Sequence, residues 1–194
     1  MSTRDRIITA AADVIRSHGL ARATTKEIAR AAGLSEAALY KHFRDKTDLF
    51  LAVLGERGPT ALSAVLARLP QRAGADPVET VLREVVLAAI DFYEQGFPMA
   101  ASLFSEPALL AAHRTALQER GAGPHAPSRA LAAYLSKEQR LGRLNRDFAP
   151  AAAADMLLGA CLQRAFLGHF EPNTEAPEAF ASNLLTTLLR GVST

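Results

Sequence analysis

A chain of 194 residues suits one compact body with a small appendage, since domains run at roughly 150 residues apiece. With 49% hydrophobic and 22% charged residues it has the material for a buried core and not the makeup of a disordered chain. Its 39 alanines against 8 valines and 5 isoleucines favour helices over sheets, and its net charge of +2 is uneven: residues 1–50 hold nine Lys/Arg and six Asp/Glu, the remainder 13 and 14.

The first predicted helix covers Thr3 to His18, with Ile7, Ile8, Ala11, Ala12 and Ile15 on one face and Gly19 as its stop. Thr24-Thr25-Lys26-Glu27 reads as a capping box that opens a short second helix, closed by the turn at Gly33. Ser35 caps a third helix expected to run through Glu36, Leu39, Tyr40 and Phe43. A fourth begins near Thr47, carries Leu49, Phe50, Val53 and Leu54, and bends or breaks at Gly58-Pro59. Asp76-Pro77-Val78-Glu79 starts a helix to about Gln95. Gly96, Pro98 and Pro107 then cut the chain into short helices, and Gly121 to Pro127 reads as a mobile loop. A helix from about Ser128 to Leu141 precedes a long one from Asp147 and Pro150 to Phe170, apolar on two sides, and a last one from Pro177 to Arg190.

Two capped short helices around a glycine turn, anchored by Ile28, Leu34, Leu39 and Phe43, make a helix-turn-helix pattern. Such a motif holds its second helix proud of the surface so that one side enters the major groove of DNA. With Leu39 at zero and about 100° per residue, Phe43 falls near 40° and both look inward; Ala37 and Lys41, near 160° and 200°, look out, with Tyr40 and Arg44 at the flanks. Ala37 and Ala38 offer methyl groups to thymine, and Glu36 is either a cytosine acceptor or a first-turn residue placed for the helix dipole. The amides and hydroxyls at Thr24 and Thr25, together with Lys26 and Lys46, suit phosphates, with Tyr40, Lys41 and His42 between them.

On these residues the chain resembles the TetR family of bacterial transcriptional regulators. The stretches Thr24-Thr25-Lys26-Glu27-Ile28-Ala29-Arg30-Ala31-Ala32-Gly33-Leu34-Ser35, Leu39-Tyr40-Lys41-His42-Phe43 and Lys46-Thr47-Asp48-Leu49 carry the likeness, which covers roughly residues 5–54. The resemblance implies an all-α homodimer: a three-helix DNA-binding head, residues 1–48, on a larger helical ligand-binding and dimerisation body, residues 49–194. Family-like roles fall on Thr24 and Lys46 for phosphate and on Glu36, Ala37, Ala38, Tyr40, Lys41 and His42 for the groove. The implied partners are a palindromic double-stranded DNA operator, a second copy of the chain and a small-molecule effector that releases the DNA, with repression as the family default.

The dimer is expected to be a four-helix bundle of residues 150–170 and 177–190 from both chains. Gly159 and Ala160 permit close approach there, and Leu167, Phe180, Leu184, Leu188 and Phe166 fill the seam. Phe92, Met99, Leu103, Phe104, Tyr134, Leu158, Leu162 and Phe166 are candidates for an apolar effector cavity, with Ser102, His113 and Gln163 as polar orienters.

Other classes find less support. The sequence has no HExxH, P-loop or GxGxxG, its five histidines lack metal-ligand spacing, and neither catalysis nor a cofactor is expected. A helical interaction module whose head docks a protein instead of DNA is the main alternative. The longest apolar stretches, Phe97 to Phe104 and Met156 to Leu162, are too short to cross a bilayer, so no membrane partner is expected. Asp5, Arg6 and Asp13 break any secretory leader, and a single cysteine, Cys161, fits a reducing cytoplasm.

Overall fold

The computed structural model describes residues 1–20, 22–56, 61–119 and 123–192. Among these residues every regular element is a helix: α1 (Thr3–His18), α2 (Thr25–Ala31), α3 (Glu36–Leu39), α4 (Lys46–Glu56), α5 (Ala61–Arg72), α6 (Val78–Phe104), α7 (Pro107–Glu119), α8 (Ala126–Arg140), α9 (Pro150–Gly168) and α10 (Pro177–Val192). No single one of them is long and apolar enough to cross a membrane. The chain packs as two units, Met1–Gly58 with Gly96–Gly123, and Pro59–Gln95 with Pro124–Thr194.

In the first unit, Ser2 caps α1 by accepting from the Asp5 amide at 3.1 Å, while the Asp5 carboxylate takes the Ser2 amide at 2.9 Å. Gly19, at φ 77°, ends the helix. The buried stripe Ile7, Ile8, Ala11 and Ile15 meets Ile28, Leu39, Leu49, Phe50 and Val53, and Leu103 and Leu109 complete this core. The packing therefore draws its division elsewhere than the expected functional boundary at residue 48: the first buried turns of α4 and the segment around α7 belong with the head's core.

One expectation changes here, and two others fall wholly or partly outside the described residues. The fourth helix begins at Lys46, in keeping with a start near Thr47, because Asp45 accepts the Asp48 amide at 2.8 Å and so caps it. The break at Gly58-Pro59 lies outside the described residues, as does part of the loop expected from Gly121. Instead of stopping near Gln95, α6 runs on through Pro98 to Phe104. A proline inside a helix removes one backbone hydrogen bond and crowds the preceding turn, and burial of Leu103 beyond it offsets that cost.

The second unit contains α5, for which the sequence reading assigns no element although Leu62, Val65 and Leu69 recur at helical spacing and are buried. They pack with Val81, Leu82, Val85, Val86, Leu131, Leu135, Leu157 and Leu185. Polar contacts fix the turns. Glu138, fully buried on α8, accepts the Gly74 amide at 2.9 Å, with the Arg143 guanidinium 3.2 Å away. Arg72 reaches both Asp76 and Glu84 at 2.5 Å and holds the Glu84 carboxyl below the usual range. At the end of α8, Gly142 has φ 73°, and the Gln139 side-chain amide is shared among the carbonyls of Asn145, Arg146 and Phe148 at 3.0–3.1 Å. Cys161 is fully buried and directs its thiol to the Val86 carbonyl at 3.9 Å; burial pushes that thiol up to about 12.

Leu109 is 6% exposed and sits with Ile15, Phe50 and Leu103 around a void of about 10 Å³. Leu109→Ala should lower the unfolding free energy by about 2–5 kcal/mol, the ordinary cost of emptying a leucine site, as read by urea denaturation.

Candidate nucleic-acid interface

The head's geometry starts from the end of α2. Gly33, at φ 67°, allows the Leu34 amide to reach back to the Ala29 carbonyl at 2.8 Å while its own amide meets Arg30 at 3.0 Å. That paired closure satisfies carbonyls which would otherwise be orphaned, and a residue without Cβ adopts it at least cost. Arg6 reinforces the turn from α1, donating from Nη2 to the Ala32 carbonyl at 2.7 Å. At the other end of α2, the Thr24 hydroxyl accepts the Glu27 amide at 3.2 Å, and the Glu27 carboxylate lies 3.3 Å from His18 Nδ1.

Ser35 then caps α3, accepting the Ala38 amide at 3.2 Å. The helix is shorter than expected: it ends at Leu39, and the chain continues through tight turns in which Lys41 bonds back to Ala38 and His42 to Leu39. The cap that Asp45 makes on α4 lies only six residues on, so the backbone leaves the helix before Phe43. Both expected anchors nevertheless point inward, Leu39 at 0% and Phe43 at 2% exposure, and the Arg4 guanidinium lies 5.4 Å from the centre of the Phe43 ring.

With those two sealed, the opposite side faces solvent. Thr24, Lys26, Glu36, Ala37, Lys41 and His42 are exposed, as is Tyr40 at 47%, while Thr25, Ala38 and Lys46 are half-buried. Thr24, Lys26, Arg30 and Glu36 line an open cleft of about 780 Å³ between α2 and α3. The Lys46 ammonium stands 5.1 Å from the centre of the Phe50 ring. Glu36 is engaged by a partner the sequence did not suggest: its Oε1 accepts the Thr25 hydroxyl at 2.5 Å, and the Tyr40 hydroxyl meets Thr25 Oγ1 at 3.3 Å. Glu36 and Tyr40 stand 11 and 15 positions from Thr25, beyond any local spacing rule. Arg30, too, lies on this face, although no pattern in the sequence marks it.

The effector candidates fall into two groups. Met99, Ser102, Leu103, Phe104 and His113 belong to the first unit, where Leu103 is sealed in the core, Phe104 is 73% exposed and the Ser102 hydroxyl donates to the Pro98 carbonyl at 2.9 Å. Phe92, Tyr134, Leu158, Leu162, Gln163 and Phe166 belong to the second. Within it they do not share one cavity: Tyr134 and Leu158 are core residues at 2% and 4% exposure, whereas Leu162 and Phe166 project outward at 42% each. At about 100° per residue Leu158, Leu162 and Phe166 follow one another at steps of about 40° on one broad face, and the edge of the core falls between Leu158 and Leu162, which the sequence pattern alone did not locate.

The dimer candidates lie on that outer side of α9 and on α10. Gly159 and Leu167 are exposed, and Ala160, Leu184 and Leu188 line an apolar groove of about 520 Å³ together with Phe148, Met156 and Gln163. Phe180 is half-buried, 4.9 Å from the Arg164 guanidinium, whose Nη2 donates to the Glu175 carbonyl at 2.6 Å. Among the described residues no three His, Cys, Asp or Glu side chains stand together to hold a metal ion.

Residues 7–53 match the family model of the bacterial regulatory proteins, tetR family, so this stretch is similar to the amino-terminal domain of that family. A transcriptional repressor named BepR, of Brucella suis biovar 1, is 30% identical over 91 residues, which is 47% of this chain and 43% of that protein. The chain spans less than half the length of the first curated relatives it matches. Over the whole fold it is similar to a TetR-family regulator structure from Mesorhizobium loti, with a TM-score of 0.78, 21% identity, and 99% and 97% of the two chains covered. The triclosan complex of SmeT, the repressor of a Stenotrophomonas maltophilia multidrug efflux pump, gives a TM-score of 0.70 at 19% identity, covering 100% of this chain and 93% of that one.

Gly33→Ala should cost about 1–2 kcal/mol of stability by chemical denaturation, since L residues are strained in the left-handed region and the new Cβ would come within 3.3 Å of Arg6 Nη2.

Proposed function

We propose that the chain is a ligand-responsive transcriptional regulator, acting as a repressor, that binds a palindromic DNA operator as a homodimer and is released by a small hydrophobic effector. The observation that carries this reading is the phase of α3: Leu39 and Phe43 are sealed while Ala37, Tyr40, Lys41 and His42 stand outside. A short helix presenting one free side from a helix-turn-helix is suited to the major groove. Thr24, Thr25, Lys26 and Lys46 take the phosphates on either side of it, and residues 1–48 are the DNA-binding part.

Dimerisation is supported by α9, whose outer face carries Met156, Leu162, Phe166, Leu167 and, just past its end, Phe170, each at least 42% exposed. A contiguous apolar face of that kind marks an interaction site. A second copy meeting it through its own α9 and α10 would set two heads on one duplex, giving the operator its twofold symmetry. Release requires an effector that binds the two head spacings unequally. The similarity to a repressor solved with triclosan supports a hydrophobic effector. No enzymatic role is proposed, and work on DNA goes with a cytoplasmic location.

Footprinting on the DNA flanking the chain's own gene, with and without hydrophobic candidates, tests the reading; a chain that protects no segment under any condition overturns it. Lys46→Ala should weaken binding to all duplexes alike and reduce the salt slope by about one, whereas Lys41→Ala should cost about 1–3 kcal/mol and relax sequence preference. Phe166→Asp should turn the dimer into a monomer in analytical ultracentrifugation and abolish operator protection at concentrations where the wild type protects fully.

A further inference from the structure

The start of α3 places a carboxylate on the very face that is to meet DNA, where the phosphate field opposes negative charge. The hydrogen bonds around it suggest a use. A hydroxyl has one proton to donate. That of Thr25 is given to Glu36 Oε1 at 2.5 Å, and that of Tyr40 to Thr25 Oγ1 at 3.3 Å. Two hydroxyls otherwise suited to phosphate oxygens are thus committed, in series, to one exposed carboxylate. A carboxylate in the major groove pairs best with the N4 amino group of cytosine, since the N6 amino group of adenine stands beside the N7 acceptor, which repels a carboxylate.

Building on the proposed DNA binding, we propose that Glu36 is a specificity-determining residue that acts through Thr25 and Tyr40. It withholds their protons from the DNA backbone until a cytosine amino group takes the carboxylate in their place. At a site with cytosine in reach, Glu36 turns to the base, Thr25 and Tyr40 turn their protons to phosphate, and base recognition and backbone grip form together. At a site without cytosine, the carboxylate stays on Thr25 and the backbone is held by Thr24, Lys26 and Lys46 without Thr25 and Tyr40. Discrimination then comes from donors withheld at wrong sequences as well as from the hydrogen bond that cytosine gives to Glu36 at the right one.

The test uses the full chain, its Glu36→Ala variant, the Thr25→Val/Tyr40→Phe variant and their combination. The probes are poly(dA-dT), which offers no cytosine, and duplexes selected from a pool with a randomised core. Glu36→Ala should bind poly(dA-dT) about tenfold more tightly than wild type, the scale of a hydrogen bond to a charged group. Most of that increase should vanish when Thr25 and Tyr40 have lost their hydroxyls. The duplexes selected by the wild type should carry a cytosine in each half-site that those selected by Glu36→Ala lack. An equal increase in both backgrounds would mean simple removal of charge and would overturn the proposal, as would identical selected sequences or weaker binding to poly(dA-dT). A wild type that binds no duplex would instead defeat the DNA-binding reading beneath it.

Discussion

Leu39 has no exposed surface, and its burial against α1 and α2 sets the rotational phase of α3. A helix of four residues has almost no stability of its own; its orientation comes from this anchor, from Phe43 just beyond it, from the caps at Ser35 and Asp45, and from the tie of Glu36 and Tyr40 to Thr25 on α2. Every exposed side chain of the groove-facing surface inherits its direction from those contacts. Because the anchor rests on α1, which also reaches the α2 turn through Arg6, the first helix governs the geometry of a surface to which it supplies no contact residue.

The head was legible in the sequence because its information is local. Thr24, Ser35 and Gly33 each act within three or four residues, and caps and left-handed turns leave residue-type signatures at fixed offsets. What escaped was decided at longer range. The fate of α6 at Pro98 depends on whether residues beyond the proline find a core, which Leu103 does. The early end of α3 depends on how soon the following cap claims the backbone. The tie between Glu36 and Thr25 joins two helices through side chains alone. The spacing of leucine and valine in α5 was legible too, but it follows directly on Gly58-Pro59, a break signal that masks the pattern after it.

The second unit shows the same limit in another form. The long helix α9 reads as apolar on two sides, but periodicity cannot tell a side that meets its own chain from one that meets another. The structure buries Ala154, Leu157, Leu158, Cys161 and Ala165 and leaves Met156, Leu162, Phe166 and Leu167 outside. Candidates for an internal cavity and for an interface were therefore mixed along one helix. The polar ties at Glu138, Arg72 and Gln139, all formed across turns, were invisible to pattern reading because neither their partners nor their burial follows from spacing.

The lone sulfhydryl has a practical corollary. Cys161 is shut beneath the Val86 carbonyl in the core of the second unit, with its ionisation suppressed by burial. An electrophilic dye or spin label meets no native target while the chain is folded. A cysteine engineered onto the outer face of α9 or beside α3 would thus be modified alone, so motions of this protein become accessible to single-site spectroscopy without first deleting a wild-type residue.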